Sequence, residues 1–360
     1  MYKDLVKKLG ENKKVEIING QEIIIKNVPD AKEEGNLDPR VMDVMLNPDK
    51  YPYENKNADK AYIFNNFSVG MIRSIFGWDN EDLTNGEIET THKIIKGENG
   101  DIPVRIYSPK CDEKMPALVF IHGGGFIAGS VDVVENPCKL IAKKANAVVI
   151  SVDYRLAPEN PFPKGFTDCF DVIKWVYNNG EEINIDSNKI GVAGDSAGGN
   201  LSAVCTLKDR DLGTNMIKYQ ALIYPATIIS DKEYPYYNWS IDEYEMKSNE
   251  ELIKKAICAL GDATAMLDLY MTDKSLAEDK YVSPLLVEDL SSLPKTLMVV
   301  GEYDFIRVQG EAYSKRLKEA NVNCRTIRYR GMDHAFIDKL GLYPQAEDCM
   351  NEIANDLKSL

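Results

Sequence analysis

A chain of 360 residues with 44% hydrophobic and 28% charged side chains can bury a sizeable core, as one large α/β domain with insertions or as two ordinary domains. Its formal charge of −14 repels phosphate backbones and anionic headgroups, which argues against nucleic acid and membrane surfaces as partners. Seven scattered cysteines, with no C-x-x-C pair, fit reduced core thiols rather than a disulfide framework or a zinc site.

The first 14 residues are mixed in charge and lack the apolar core of a secretory signal, and no apolar run approaches bilayer length. The expected address is the cytoplasm, without membrane insertion; a homo-oligomer is left open. Residues 1–86 are polar and irregular, with a hairpin expected at 15–25 around Asn19-Gly20. Within 66–78, Phe67, Met71, Ile75 and Phe76 fall near helical spacing, which suits a helix packed on the body or a cap lining a pocket. From residue 87 onward short apolar runs alternate with helical patterns, the signature of βαβ units on a mostly parallel sheet. Strands are expected at 102–107, 117–121, 147–152, 189–193, 219–224, 296–300 and 324–329. Helices are expected at 167–178, 197–208, 308–320 and 345–357. The aromatic-rich stretch 230–282 breaks the rhythm and reads as an insertion over one edge of the sheet.

The strand at 189–193 runs into Gly194-Asp195-Ser196-Ala197-Gly198-Gly199, and a helical pattern follows. A G-x-S-x-G sequence is a weak signal alone but a strong one on a strand-to-helix turn, where a nucleophilic serine sits strained among small neighbours. The helix start also presents amides and a positive dipole end to developing negative charge. Upstream, His122-Gly123-Gly124-Gly125-Phe126 follows the strand at 117–121. Consecutive glycines cost conformational entropy, which makes sense where amides must approach an oxyanion closely. Gly124, Gly125 and Ala197 are the expected donors.

Only His92, His122 and His334 are available as a general base. His334 lies just past the last expected strand, where open α/β sheets build their sites, whereas His122 reads as structural. Asp304 or Glu302, beyond the strand at 296–300, could orient its imidazole, and the order Ser196, Asp304, His334 is that of the α/β-hydrolases. Arg155 and Glu159 could pair within a loop, with Asp168 capping the next helix.

Together, 122–126 (HGGGF), 151–159 (SVDYRLAPE), 194–199 (GDSAGG), 301–304 (GEYD) and 331–336 (GMDHAF) resemble the hormone-sensitive-lipase-like branch of the α/β-hydrolases over residues 87–360. The resemblance implies a mostly parallel eight-stranded sheet with helices on both faces and a helical cap from the N-terminal segment and the 230–282 insertion. It also implies carboxylesterase activity on small, short-acyl esters, with Ser196, Asp304 and His334 as the triad and without cofactor or metal. The sequence departs from the family pattern in Phe305-Ile306-Arg307-Val308-Gln309 after the acid, and in Ala335 where glycine is usual. Tyr234 to Trp239 could stack on a sugar ring or serve as cap core. Two other readings use the same scaffold: amide or thioester hydrolysis, and a non-catalytic binding protein like the gibberellin receptors of plants. The latter resemble the family but lack the histidine kept here.

Overall fold

The computed structural model describes residues 2–31, 33–51, 68–230, 232, 234–259 and 264–360. Phe67, one of the four apolar residues expected on an early helical face, lies outside them. In chain order the elements are α1 (Tyr2–Glu11), β1 (Lys13–Ile18), β2 (Gln21–Lys26), α2 (Pro39–Leu46), α3 (Val69–Ile75), β3 (Glu89–Gly97), β4 (Gly100–Ser108) and β5 (Met115–Ile121). They continue with α4 (Glu135–Ala145), β6 (Val148–Val152), α5 (Lys164–Asn178), β7 (Ile185–Asp195), α6 (Ala197–Leu212) and β8 (Ile217–Ile223). The last are α7 (Glu250–Ile257), α8 (Thr264–Tyr270), β9 (Lys295–Gly301), α9 (Arg307–Glu319), β10 (Cys324–Tyr329) and α10 (Pro344–Lys358).

The strands form one sheet in the order β1-β2-β10-β9-β8-β7-β5-β6-β4-β3. From β2 across to β6 every neighbour is parallel, and β1, β4 and β3 add antiparallel edges. Ten strands, not the expected eight, make up this sheet among the described residues. The difference includes the hairpin at 13–26, which docks alongside β10 with Ile24 opposite Ile327. Ile23 and Ile25 are thereby completely buried, the apolar gain that ties this segment to the body. Of the described N-terminal residues, 13–26 therefore belong to the sheet edge.

The central strands are buried on both faces, as a parallel sheet demands, and alternate residues serve different layers. On β5, Leu118 and Phe120 face a core shared with Leu140 and Ile141 of α4 and Ile353 and Leu357 of α10. Ala117, Val119 and Ile121 face the opposite core, with Ile173 of α5 and Leu201 and Val204 of α6. Helices therefore cover both faces, and loops at the strand C-termini converge on one edge. That edge carries the expected chemistry.

Candidate active site

β7 delivers Ser196 at the tightest point of the backbone. The serine has φ 54° and ψ −117°, outside the ordinary basins, and α6 begins at the next residue. Its amide donates to the Ile223 carbonyl of β8 at 2.9 Å, which pins the turn to the neighbouring strand. Space around it is exhausted: a Cβ on Gly198 would lie 2.0 Å from the Ile121 carbonyl oxygen, and one on Gly194 would lie 2.3 Å from that of Gly198. The small residues of this motif are thus a steric requirement of the turn.

Past the ends of β9 and β10, two loops bring the other polar groups to this serine. His334 Nε2 lies 3.0 Å from Ser196 Oγ, and His334 Nδ1 lies 2.8 Å from Asp304 Oδ2. Asp304 is fully buried, and its second oxygen accepts the Ile306 amide at 2.9 Å, so both carboxylate oxygens have assigned partners. Burial disfavours a charged His334 ring, but the Asp304 carboxylate outweighs it and holds the pKa above the ordinary 6.5. Phe305 meets the imidazole edge-on at 5.0 Å, and Tyr224 lies 4.9 Å from it. Ala335 takes the left-handed φ of 60°, which explains why glycine is usual there and marks a strained loop.

The glycine loop after β5 lies against the residue preceding the nucleophile. The Gly123 amide donates to Asp195 Oδ1 at 2.8 Å, while Gly124 and Gly125 have φ of 127° and 60°. A Cβ on Gly124 would fall 2.0 Å from the Ala128 carbonyl oxygen, so this hairpin-like bend admits only glycine. Among the described residues, the amides of Gly124, Gly125 and Ala197 donate to no protein acceptor and so remain available to a ligand oxygen.

A family model of the α/β-hydrolase fold matches residues 118–338. The chain belongs to that family. It is 36% identical to an arylesterase of Saccharolobus solfataricus over 69% of this chain and 77% of that protein. It is 33% identical to esterase LipI of Mycobacterium tuberculosis over 74% and 80% of the two chains. In structure it is similar to a hyperthermophilic esterase of Pyrobaculum calidifontis, with a TM-score of 0.75 and 30% identity, covering 90% of this chain and 98% of that one.

The other histidines of this hydrolase-fold chain stand apart from the serine. His122 is buried and stacks on Tyr154 at 4.4 Å, with Nδ1 2.8 Å from the Gly123 carbonyl oxygen. Burial pushes its pKa down to about 4, so it is a neutral prop for the glycine loop. His92 is exposed on β3, the far edge strand. Glu302, the alternative acid, accepts the Gly331 amide at 2.8 Å and braces the histidine loop from below.

The expected Arg155–Glu159 pair does not form. Arg155 binds Asp168 at 2.5 Å, within α5 and not at its cap, while Arg73 of α3 takes Glu159 through two hydrogen bonds of 2.9 and 2.7 Å. Arg73 also donates to the carbonyls of Ile127 and Ala157, which ties α3 to the glycine loop. From the 230–282 stretch, Tyr270 stacks on Phe126 at 3.8 Å. Neither contact was legible in the sequence, because each joins residues more than fifty positions apart. Tyr236 and Trp239 are 40% and 41% exposed, so the aromatic run is not simple core. The seven cysteines are all free thiols, four of them buried and Cys258 exposed.

Proposed function

We propose that this chain is a serine carboxylic-ester hydrolase in which Ser196 is the nucleophile, His334 the general base and Asp304 the residue that orients it. The observation that carries the reading is the continuous contact Ser196 Oγ–His334–Asp304 at 3.0 and 2.8 Å. Asp304 Oδ2 accepts the proton of Nδ1, which leaves Nε2 as the lone-pair nitrogen facing the serine hydroxyl. Nε2 takes the hydroxyl proton as Oγ attacks the ester carbonyl. The tetrahedral oxyanion is received by the amides of Gly124, Gly125 and Ala197, and the imidazolium returns its proton to the departing alcohol. Water activated by the same nitrogen then releases the acid. No step calls for a metal or cofactor.

Short acyl groups, acetyl to hexanoyl, are the expected substrates. Support comes from the esterases among its relatives, one of which is named an ethyl acetate hydrolase, and from the rings of Tyr224 and Phe305 crowding the base. The helical parts of 68–86 and the 230–282 insertion act as the cap, supported by the holds of Arg73 and Tyr270 on the glycine loop. Free thiols throughout support a reducing, cytoplasmic setting, and no helix among the described residues is long and apolar enough to cross a membrane.

The test is the initial hydrolysis rate on p-nitrophenyl esters from acetate to dodecanoate, for the wild type and Ser196→Ala in parallel. The reading expects fast short-chain turnover that collapses in the variant. A folded wild type inert on every ester, or a variant with undiminished activity, overturns it.

A further inference from the structure

Five side-chain hydrogen bonds stitch a short stretch of the insertion to the loop that carries Asp304. Tyr244 Oη donates to the Asp304 carbonyl oxygen at 2.8 Å, and the Phe305 carbonyl oxygen lies 3.2 Å from the same hydroxyl. Trp239 Nε1 donates to the Phe305 carbonyl at 2.9 Å. In return, Tyr303 Oη donates to the Glu245 carbonyl at 2.9 Å and Arg307 to the Glu243 carbonyl at 2.5 Å. The Arg307 guanidinium also lies over the Tyr244 ring at 4.5 Å and pairs with Glu311 at 3.0 Å.

This pattern is more than a docking of two surfaces. Residues 304 and 305 lie in an irregular loop between β9 and α9, and the carbonyls of both are met by donors from 239–245. Tyr244 itself is buried at 4% exposure, so its hydroxyl proton has been placed where water cannot substitute freely. Phe305, whose carbonyl accepts from both Trp239 and Tyr244, is the residue whose ring meets His334 edge-on. Residues 305–309 are also where the sequence departs from the family pattern. Here a part of the insertion supplies the support.

We infer that Tyr244, seconded by Trp239, is a positioning residue for the catalytic acid: it holds the 304–305 backbone so that the Asp304 carboxylate stays aligned on His334. The inference rests on the triad reading above. Tyr244 touches neither substrate nor the reacting atoms and acts through Asp304.

Tyr244→Phe keeps the ring, its packing and its contact with Arg307 while deleting the hydroxyl. One buried hydrogen bond is worth about 1 kcal/mol net, so kcat should fall roughly 3- to 10-fold with KM on p-nitrophenyl acetate unchanged. Trp239→Phe, which removes the indole donor from a half-exposed ring, should lower kcat in the same direction by a smaller factor. The discriminating measurement is the double variant with Asp304→Asn. A residue acting through Asp304 has nothing left to align there, so Tyr244→Phe should cost less than about twofold in that background. A residue that merely stabilises the fold would lower the melting temperature and leave kcat at saturating substrate intact. Wild-type kcat in Tyr244→Phe, or an undiminished loss in the Asp304→Asn background, overturns the inference. An active Ser196→Ala enzyme would instead refute the triad, so the two failures are separable.

Discussion

Replacing Asp304 by asparagine should damage this enzyme in a way the hydrogen bonds already specify. Asp304 Oδ1 accepts the buried Ile306 amide at 2.9 Å, and only an oxygen can serve there. In Asp304→Asn the amide oxygen must therefore keep that position and turn its NH2 towards His334 Nδ1, 2.8 Å away. Two donors cannot face each other, so the imidazole adopts the other tautomer, with its proton on Nε2. That nitrogen, 3.0 Å from Ser196 Oγ, then has no lone pair for the serine proton. Loss of the correct tautomer is worth roughly three to four powers of ten in kcat, or about 4–5 kcal/mol of transition-state stabilisation.

A second consequence has the opposite sign on the pH axis. Burial alone would lower the His334 pKa, and the Asp304 charge holds it above 6.5. In the wild type, kcat/KM should rise with pH through that raised value as the ring becomes neutral. In Asp304→Asn the charge is gone, and the residual activity should rise at lower pH than in the wild type. Both effects are read from p-nitrophenyl acetate hydrolysis between pH 5 and 9, with the melting temperature as a control for folding. A kcat within tenfold of wild type, or an acid limb shifted upward, would refute the assignment of Asp304.

Three other perturbations test different layers of the structure. Asp195 is buried, and burial together with the nearby Asp338 pushes its pKa up to about 7, from an ordinary 3.8. Its folded pKa is raised, so the stability it contributes is complete below 3.8 and is lost as pH rises through about 7. Asp195→Asn should therefore lose less stability than wild type between pH 5 and 9 in urea unfolding; parallel pH profiles would contradict this. Gly198→Ala places a methyl 2.0 Å from the Ile121 carbonyl and should cost several kcal/mol or abolish folding, on the order of a strongly overpacked core site. Near-native thermal stability would mean the elbow can relax. Tyr270→Ala removes a ring stacked on Phe126 and should cost about 3–5 kcal/mol in denaturant titrations, with slower ester turnover as the glycine loop loosens. A loss below about 1 kcal/mol would show that the insertion does not hold that loop.

Much of this is readable in the amino-acid sequence alone. A strand running into Gly194–Gly199 is a local pattern, and the turn it encodes is enforced by atoms within a few residues of Ser196. With three histidines in the chain, the proposed base after the last strand was nearly forced by elimination. The choice between Glu302 and Asp304 was less so. Glu302 is spent on the Gly331 amide, and only the folded loop shows which carboxylate reaches the ring.

Local pattern was enough for the α/β class and for the strand-to-helix turn at Ser196, because each depends on contacts within a strand, a turn or a helix. The order of Ser196, Asp304 and His334 was legible only by likeness to the family, since the contact of Ser196 with His334 spans 138 positions. The hairpin at 13–26 gave a correct turn but no hint that it would extend the sheet beside β10, some 300 residues away. Glu159 exchanged its expected partner for Arg73, and Tyr244 found the carbonyl of Asp304, for the same reason. Polarity and spacing say that such groups need partners, but which partner they find depends on how distant segments pack, and no local pattern carries that information.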